Sequence, residues 1–126
     1  MGLDNAFYFY YIRNMETTSV IGALSALAHE SRLGIFRLLV EQGPDGLAAG
    51  EIASRLNLAN ANASFHLKEL AHAGLVRSVQ AGRFIYYAAN FKTMNGLVDY
   101  LTQNCCQGGV CDIACAPVIK RKRRAS

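Results

Sequence analysis

Asn60-Ala61-Asn62-Ala63-Ser64-Phe65-His66-Leu67-Lys68-Glu69-Leu70-Ala71-His72-Ala73-Gly74-Leu75-Val76 is the stretch on which the fold turns. Asn60 is suited to cap a helix that reaches Ala73, and Gly74 ends it, because glycine accepts the left-handed closing conformation. The period of the pattern then changes. Leu75 to Val79, a turn at Gln80-Ala81-Gly82, and Arg83 to Ala88 are rich in β-branched and aromatic residues and predict a β-hairpin. Upstream, Asn57-Leu58-Ala59 makes a tight connection to a short helix over Ala49 to Leu56, with Ile52 and Leu56 facing inward. Gly43-Pro44 closes an earlier helix that Ser31 can cap and that carries the stripe Leu33, Phe36, Leu39 and Val40. Before that, Val20, Ile21, Leu24 and Leu27 share one helical face over Thr17 to Leu27. Downstream, a helix of about Phe91 to Asn104 is expected to bury Phe91, Met94, Leu97, Val98 and Leu101, and Gly108-Gly109 and Pro117 mark an irregular tail. The fold class is mainly α with a β-hairpin wing, in the order helix, helix, helix, helix, hairpin, helix.

With 126 residues the chain holds one domain, and its apolar fraction of 52% excludes a disordered class. Residues 1–14 share no pattern with the rest of the chain and read as an N-terminal extension, either a flexible arm or a piece upstream of the more conventional start at Met15. Residues 15–106 form the expected domain, and 107–126 a cysteine-containing, basic tail. No apolar run approaches the roughly 18 residues of a membrane span. Asp4 stands where a signal peptide would carry basic residues, so a cytoplasmic chain without membrane attachment is expected. The net charge of +4 comes from Lys120-Arg121-Lys122-Arg123-Arg124; without them eight basic residues face nine acidic ones. Affinity for a polyanion must therefore come from the placement of a few cations.

Two short helices joined by a tight turn and followed by a two-stranded wing is a recurring geometry for reading duplex DNA, the second helix filling a major groove about 12 Å wide. Here that helix opens with amides and a hydroxyl, which bond to base edges, and with small alanines that let the backbone approach closely. Lys68 is placed for a phosphate, and Arg83 reaches the backbone or minor groove beside the wing. The expected DNA-contacting set is Asn60, Asn62, Ser64, Phe65, Lys68 and Arg83. Taken singly, each is an ordinary helix or hairpin residue; their order and spacing carry the argument. His66 reads as a helix support, His72 as a partner of the helix C-terminal dipole, and His29 as a helix-junction residue.

The run Ser64 to Val76, with Gly82-Arg83 and Tyr87, resembles the signature of the ArsR/SmtB family of bacterial metal-responsive repressors. Leu27-Ala28-His29-Glu30-Ser31-Arg32-Leu33 and Ile35-Phe36-Arg37-Leu38-Leu39 resemble that family's second-helix pattern, so the likeness spans about residues 17–106. It implies a homodimer of winged helices, paired through first and last helices, that holds a double-stranded operator and leaves it when metal binds.

All four cysteines, Cys105, Cys106, Cys111 and Cys115, fall near the C-terminus, which argues for a local thiol site and against a disulfide framework. Trivalent arsenic and antimony are soft and take three thiolates; zinc or cadmium prefers a tetrahedron. Cys105, Cys106 and Cys111 match three-coordination, and Cys115 stands as an alternative third ligand or a fourth. The vicinal pair resembles one arsenite-sensing branch of the family. The family's Cys-Val-Cys motif is replaced by Gly50-Glu51-Ile52-Ala53, and the last helix lacks the histidines of its zinc sites. As(III) or Sb(III) is thus the expected inducer, with no organic cofactor. The alternatives are a redox switch, another soft metal (Cd, Zn or Pb) and, if only two thiols bind, an organic arsenical. An enzyme is not expected: there is no phosphate-cradling glycine loop, no supportable Ser-His-Asp ordering and no Cys-Xaa-Xaa-Cys in a βαβ setting.

Overall fold

The computed structural model describes residues 16–108. The expectations for residues 1–14, Cys111, Cys115 and the pentabasic run lie outside them. Five helices, α1 (Thr17–Leu27), α2 (Glu30–Gln42), α3 (Ala49–Leu56), α4 (Asn60–His72) and α5 (Phe91–Leu101), accompany a small sheet of β1 (Leu47–Ala48), β2 (Val76–Ala81) and β3 (Phe84–Ala89), whose hairpin end is exposed. Cys105–Gly108 forms a short 3-10 segment after α5.

Val20, Ala23 and Ala26 of α1, Ile35 and Leu39 of α2, Ile52 of α3, Leu67 and Leu70 of α4, and Leu75 close one continuous core. Each valine, leucine or isoleucine among them, removed from water, stabilises the fold by about 1.5–3 kcal/mol. The α1 alanines let that helix lie close against α2 and α4. Its foot is fixed to α5 by a 2.8 Å hydrogen bond between the Thr17 and Tyr100 hydroxyls.

The wing has a different register from the one expected. Ala81 pairs with Phe84, so the connection is two residues, Gly82-Arg83, and Gly82 takes a φ of 63°. A tight hairpin turn opened by glycine matches the twist of its strands, whereas the expected Gln80-Ala81-Gly82 turn would leave Ala81 unpaired. Nothing in the residue pattern marks β1, whose Leu47 and Ala48 pair with Tyr87 and Tyr86 of β3. β3 is therefore the central strand, in the order β1-β3-β2.

Caps differ as well. α2 is capped by His29, whose Nδ1 accepts from the Ser31 amide at 3.2 Å, not by Ser31. Ala59 precedes α4, and Asn60 is already helical. α5 starts at a true side-chain cap, Asn90, but ends at Leu101, three residues earlier than expected. Thr102 folds its hydroxyl back onto the Val98 carbonyl at 2.8 Å, and Asn104 turns left-handed with φ 56°. Ser/Thr back-bonding of this kind competes with continued helix.

Part of each apolar stripe on α1 and α5 points outward in the single chain. Val98 is 54% and Leu101 60% exposed on α5, and Ile21 is 57% and Leu24 40% exposed on α1. Leu33 is likewise exposed. The sequence period found the apolar faces of α1 and α5 correctly, but a helix can cover only part of so wide a face within one small domain.

Candidate nucleic-acid interface

α3 and α4 meet across Asn57, whose φ of 56° puts it in the left-handed region and turns the chain within three residues. Leu58 donates its amide to the Ala53 carbonyl at 2.9 Å, which closes the turn. Ala63, Leu67 and Leu70 anchor the inner face of α4. At 100° per residue, Phe65 and Glu69 each lie about 160° around the helix from Leu67, and Lys68 about 100°. The outward surface of α4 therefore has Phe65 and Glu69 at its centre.

Asn60, Asn62, Ser64, Phe65 and Lys68 are all exposed on this one helix, and Arg83 is exposed at the tip of the wing. Phe65 stands 55% exposed, although aromatic. Lys68 and Arg83 have no acidic partner at salt-bridge distance among the described residues, whereas Arg37 and Arg55 are drawn to Glu41 and Glu51 of their own helices. Cys105 and Cys106 sit at the other landmark, just past α5, with their sulfurs 3.5 Å apart. Cys106 and Gln107 take left-handed φ values of 56° and 59°, so the chain turns sharply at the pair. Cys111 and Cys115, the expected third ligands, lie outside the described residues.

Sequence reasoning missed the junction on the flank of the helix. The Arg32 Nε donates to His66 Nδ1 at 3.3 Å, its guanidinium carbon lies 5.8 Å from the Phe65 ring centre, and His29 packs its ring 4.6 Å from that of His66. Arg32 thus ties the start of α2 to the middle of α4. His66 can accept at Nδ1 only when neutral, with its proton on Nε2. Burial first, then the neighbouring His29 and Arg32, hold its pKa below the usual histidine value. His66 does support the helix, as expected, and His72 is the last residue of α4. The signal for the junction was in the sequence as His29 and Arg32 three apart, but a spacing within one segment says nothing of a partner 34 residues on.

A folded-state pKa below the unfolded one means that the unfolded chain binds the proton more readily. Stability is then intact above the unfolded value of about 6.5 and falls as pH drops through it toward the lower native value. Thermal melts between pH 7.5 and 5.5 should show a loss of Tm that His66→Asn reduces, since the amide oxygen can accept from Arg32 without titrating. An equal loss in both proteins would show that His66 is not the group responsible.

The Helix-turn-helix domain family matches residues 27–79, from the end of α1 through the first half of the wing. The cadmium resistance transcriptional regulatory protein CadC of Listeria innocua is 35% identical over 85 residues, which cover 67% of this chain and 70% of that protein. The chain belongs to the ArsR/SmtB family of winged-helix regulators. The solved structure of an ArsR-like transcriptional regulator from Rhodococcus sp. RHA1 superposes with a TM-score of 0.62 at 28% identity, over 72% of this chain and 83% of that one. The homodimeric winged helix-turn-helix DNA-binding domain of Mb0332 from Mycobacterium bovis, a possible ArsR-family regulator, gives 0.56 at 27% identity, over 73% and 85%. As an ArsR/SmtB protein the chain is a DNA-binding transcriptional regulator and not an enzyme. No helix among the described residues is long and apolar enough to cross a membrane.

Proposed function

We propose that the protein is a homodimeric repressor that releases its operator when trivalent arsenic or antimony binds the cysteines after α5. The observation that carries this reading is the pair of Cys105 and Cys106 sulfurs at 3.5 Å. Metal–thiolate bonds of about 2.3 Å at a tetrahedral angle hold two sulfurs roughly 3.8 Å apart, and the narrower angles of a three-coordinate pyramid hold them closer. The pair is therefore spaced to share one soft ion with little movement. A third thiolate from Cys111 or Cys115 completes the set.

Val98 and Leu101 point outward from α5, as Ile21 and Leu24 do from α1, and the two helices contact each other. These form the seam of the dimer, in keeping with the homodimeric Mb0332 domain. Closing the thiols around an ion reshapes the end of α5 at that seam and so changes the separation of the two α4 helices, which in the bound dimer sit about 34 Å apart, one turn of DNA. Asn60, Asn62, Ser64 and Phe65 face base edges, Lys68 meets a phosphate, and Arg83 meets the DNA backbone or the minor groove beside the wing.

Coupling of this kind is worth about 1–3 kcal/mol, or roughly 5- to 150-fold in affinity. Fluorescence anisotropy on a duplex selected from a random library should show arsenite releasing the reduced protein. Cys105→Ser and Cys106→Ser should bind the duplex as wild type does and ignore arsenite. Reduced wild type that stays bound at saturating arsenite would rule the mechanism out. The similarity to CadC favours a second reading, in which cadmium is the inducer. X-ray absorption separates the two: three sulfur neighbours around arsenic support the first, and a four-sulfur cadmium site with no response to arsenite the second.

A further inference from the structure

We propose that Phe65, with the Arg32 guanidinium held over its ring, reads the 5-methyl group of a thymine in the major groove. The inference rests on the proposed role of α4 as the groove-reading helix and names what the centre of that helix recognises.

Phe65 is more than half exposed, touches none of the core that Leu67 and Leu70 enter, and occupies the middle of the outward surface of α4. An aromatic ring at such a place gains nothing from water, and its apolar edge calls for an apolar partner. Only one base presents an apolar group in the major groove, the methyl of thymine. The charges around the ring point the same way. Glu69 follows Phe65 by one turn on the same strip, and a carboxylate there repels phosphates, so this strip faces base edges and not the DNA backbone. Lys68 lies to one side, where the groove wall carries phosphates.

The ring is also held in place. Arg32 stands on its face with a cation–π contact, and the Arg32 Nε is itself fixed by His66 Nδ1. His66 meets the Phe65 ring edge-on, with ring centres 5.7 Å apart. A ring so oriented loses little conformational freedom on meeting DNA, which is what discrimination by a single methyl group requires. Arg32 is a positioning residue in this scheme.

The test uses the full-length protein and a duplex selected from a random library, with each thymine of one half-site replaced in turn by deoxyuridine, which lacks only the methyl. One replacement should weaken wild-type binding by about fourfold, the worth of one buried methyl. Phe65→Ala should lose that discrimination, binding the thymine and deoxyuridine duplexes alike; it removes an exposed side chain and favours the helix. Arg32→Gln should narrow the discrimination, and Lys68→Ala should weaken both duplexes equally. No effect at any thymine, or an effect that persists in Phe65→Ala, would overturn the inference while leaving α4 as the reading helix. Failure of the selection to yield any preferred duplex would overturn that underlying assignment as well.

Discussion

Replacing Val98 and Leu101 together with aspartate is expected to yield a folded monomer that binds operator DNA 10²- to 10⁴-fold more weakly than wild type, the avidity lost when two linked contacts become one. Both side chains already stand in water in the single chain, so the core anchored by Leu97 and its neighbours is undisturbed. In the proposed dimer the same positions are buried, and four carboxylates brought together in an apolar seam cannot be solvated. Sedimentation equilibrium and anisotropy on the same samples provide the check. A double variant that remains dimeric with full affinity would place the seam elsewhere.

The second large effect concerns stability and a residue far from any expected site. Gly46 has φ 74°, and a methyl group added there would collide with the Tyr87 carbonyl where β1 meets β3. Left-handed backbone costs a residue with a Cβ about 1–2 kcal/mol. Displacing packed backbone adds about 1–3 kcal/mol more. Gly46→Ala should therefore destabilise the domain by about 2–5 kcal/mol in chemical denaturation. Gly82→Ala, at φ 63° but with open space around it, should cost only the backbone part. Equal losses at the two sites would mean that β1 is not held against β3 as described.

Much of this architecture could be read from period alone. Ala49–Leu56 lies where the spacing of Ile52 and Leu56 put it, because a short amphipathic helix between a glycine-rich lead and an asparagine turn has few alternatives. Caps were less legible: His29 and Ala59 precede their helices where Ser31 and Asn60 were expected, since a capping side chain competes with whatever else the junction needs. β1 was invisible because two residues carry no period; only its pairing with β3 defines it. The outward Ile21, Leu24, Val98 and Leu101 show a limit of another kind. Hydrophobic spacing marks a face to be covered, without saying whether the cover comes from the same chain. Of the residues proposed to act at DNA, Phe65 and Lys68 could be picked from the helix pattern, whereas Arg32 could not, being brought to Phe65 by tertiary packing.

The central position of β3 carries a mechanical consequence. On one flank it is laced to β1, whose last residue, Ala48, is the cap of α3. On the other it is laced to β2, which leaves α4 through Leu75, and the Asn90 amide returns to the Leu75 carbonyl at 2.8 Å. At its end a single residue, Asn90, separates it from α5. In the proposed switch the strand would work as an axle: a twist arriving through α5 from the cysteines beyond its end would pass along main-chain ladders toward both α3 and α4.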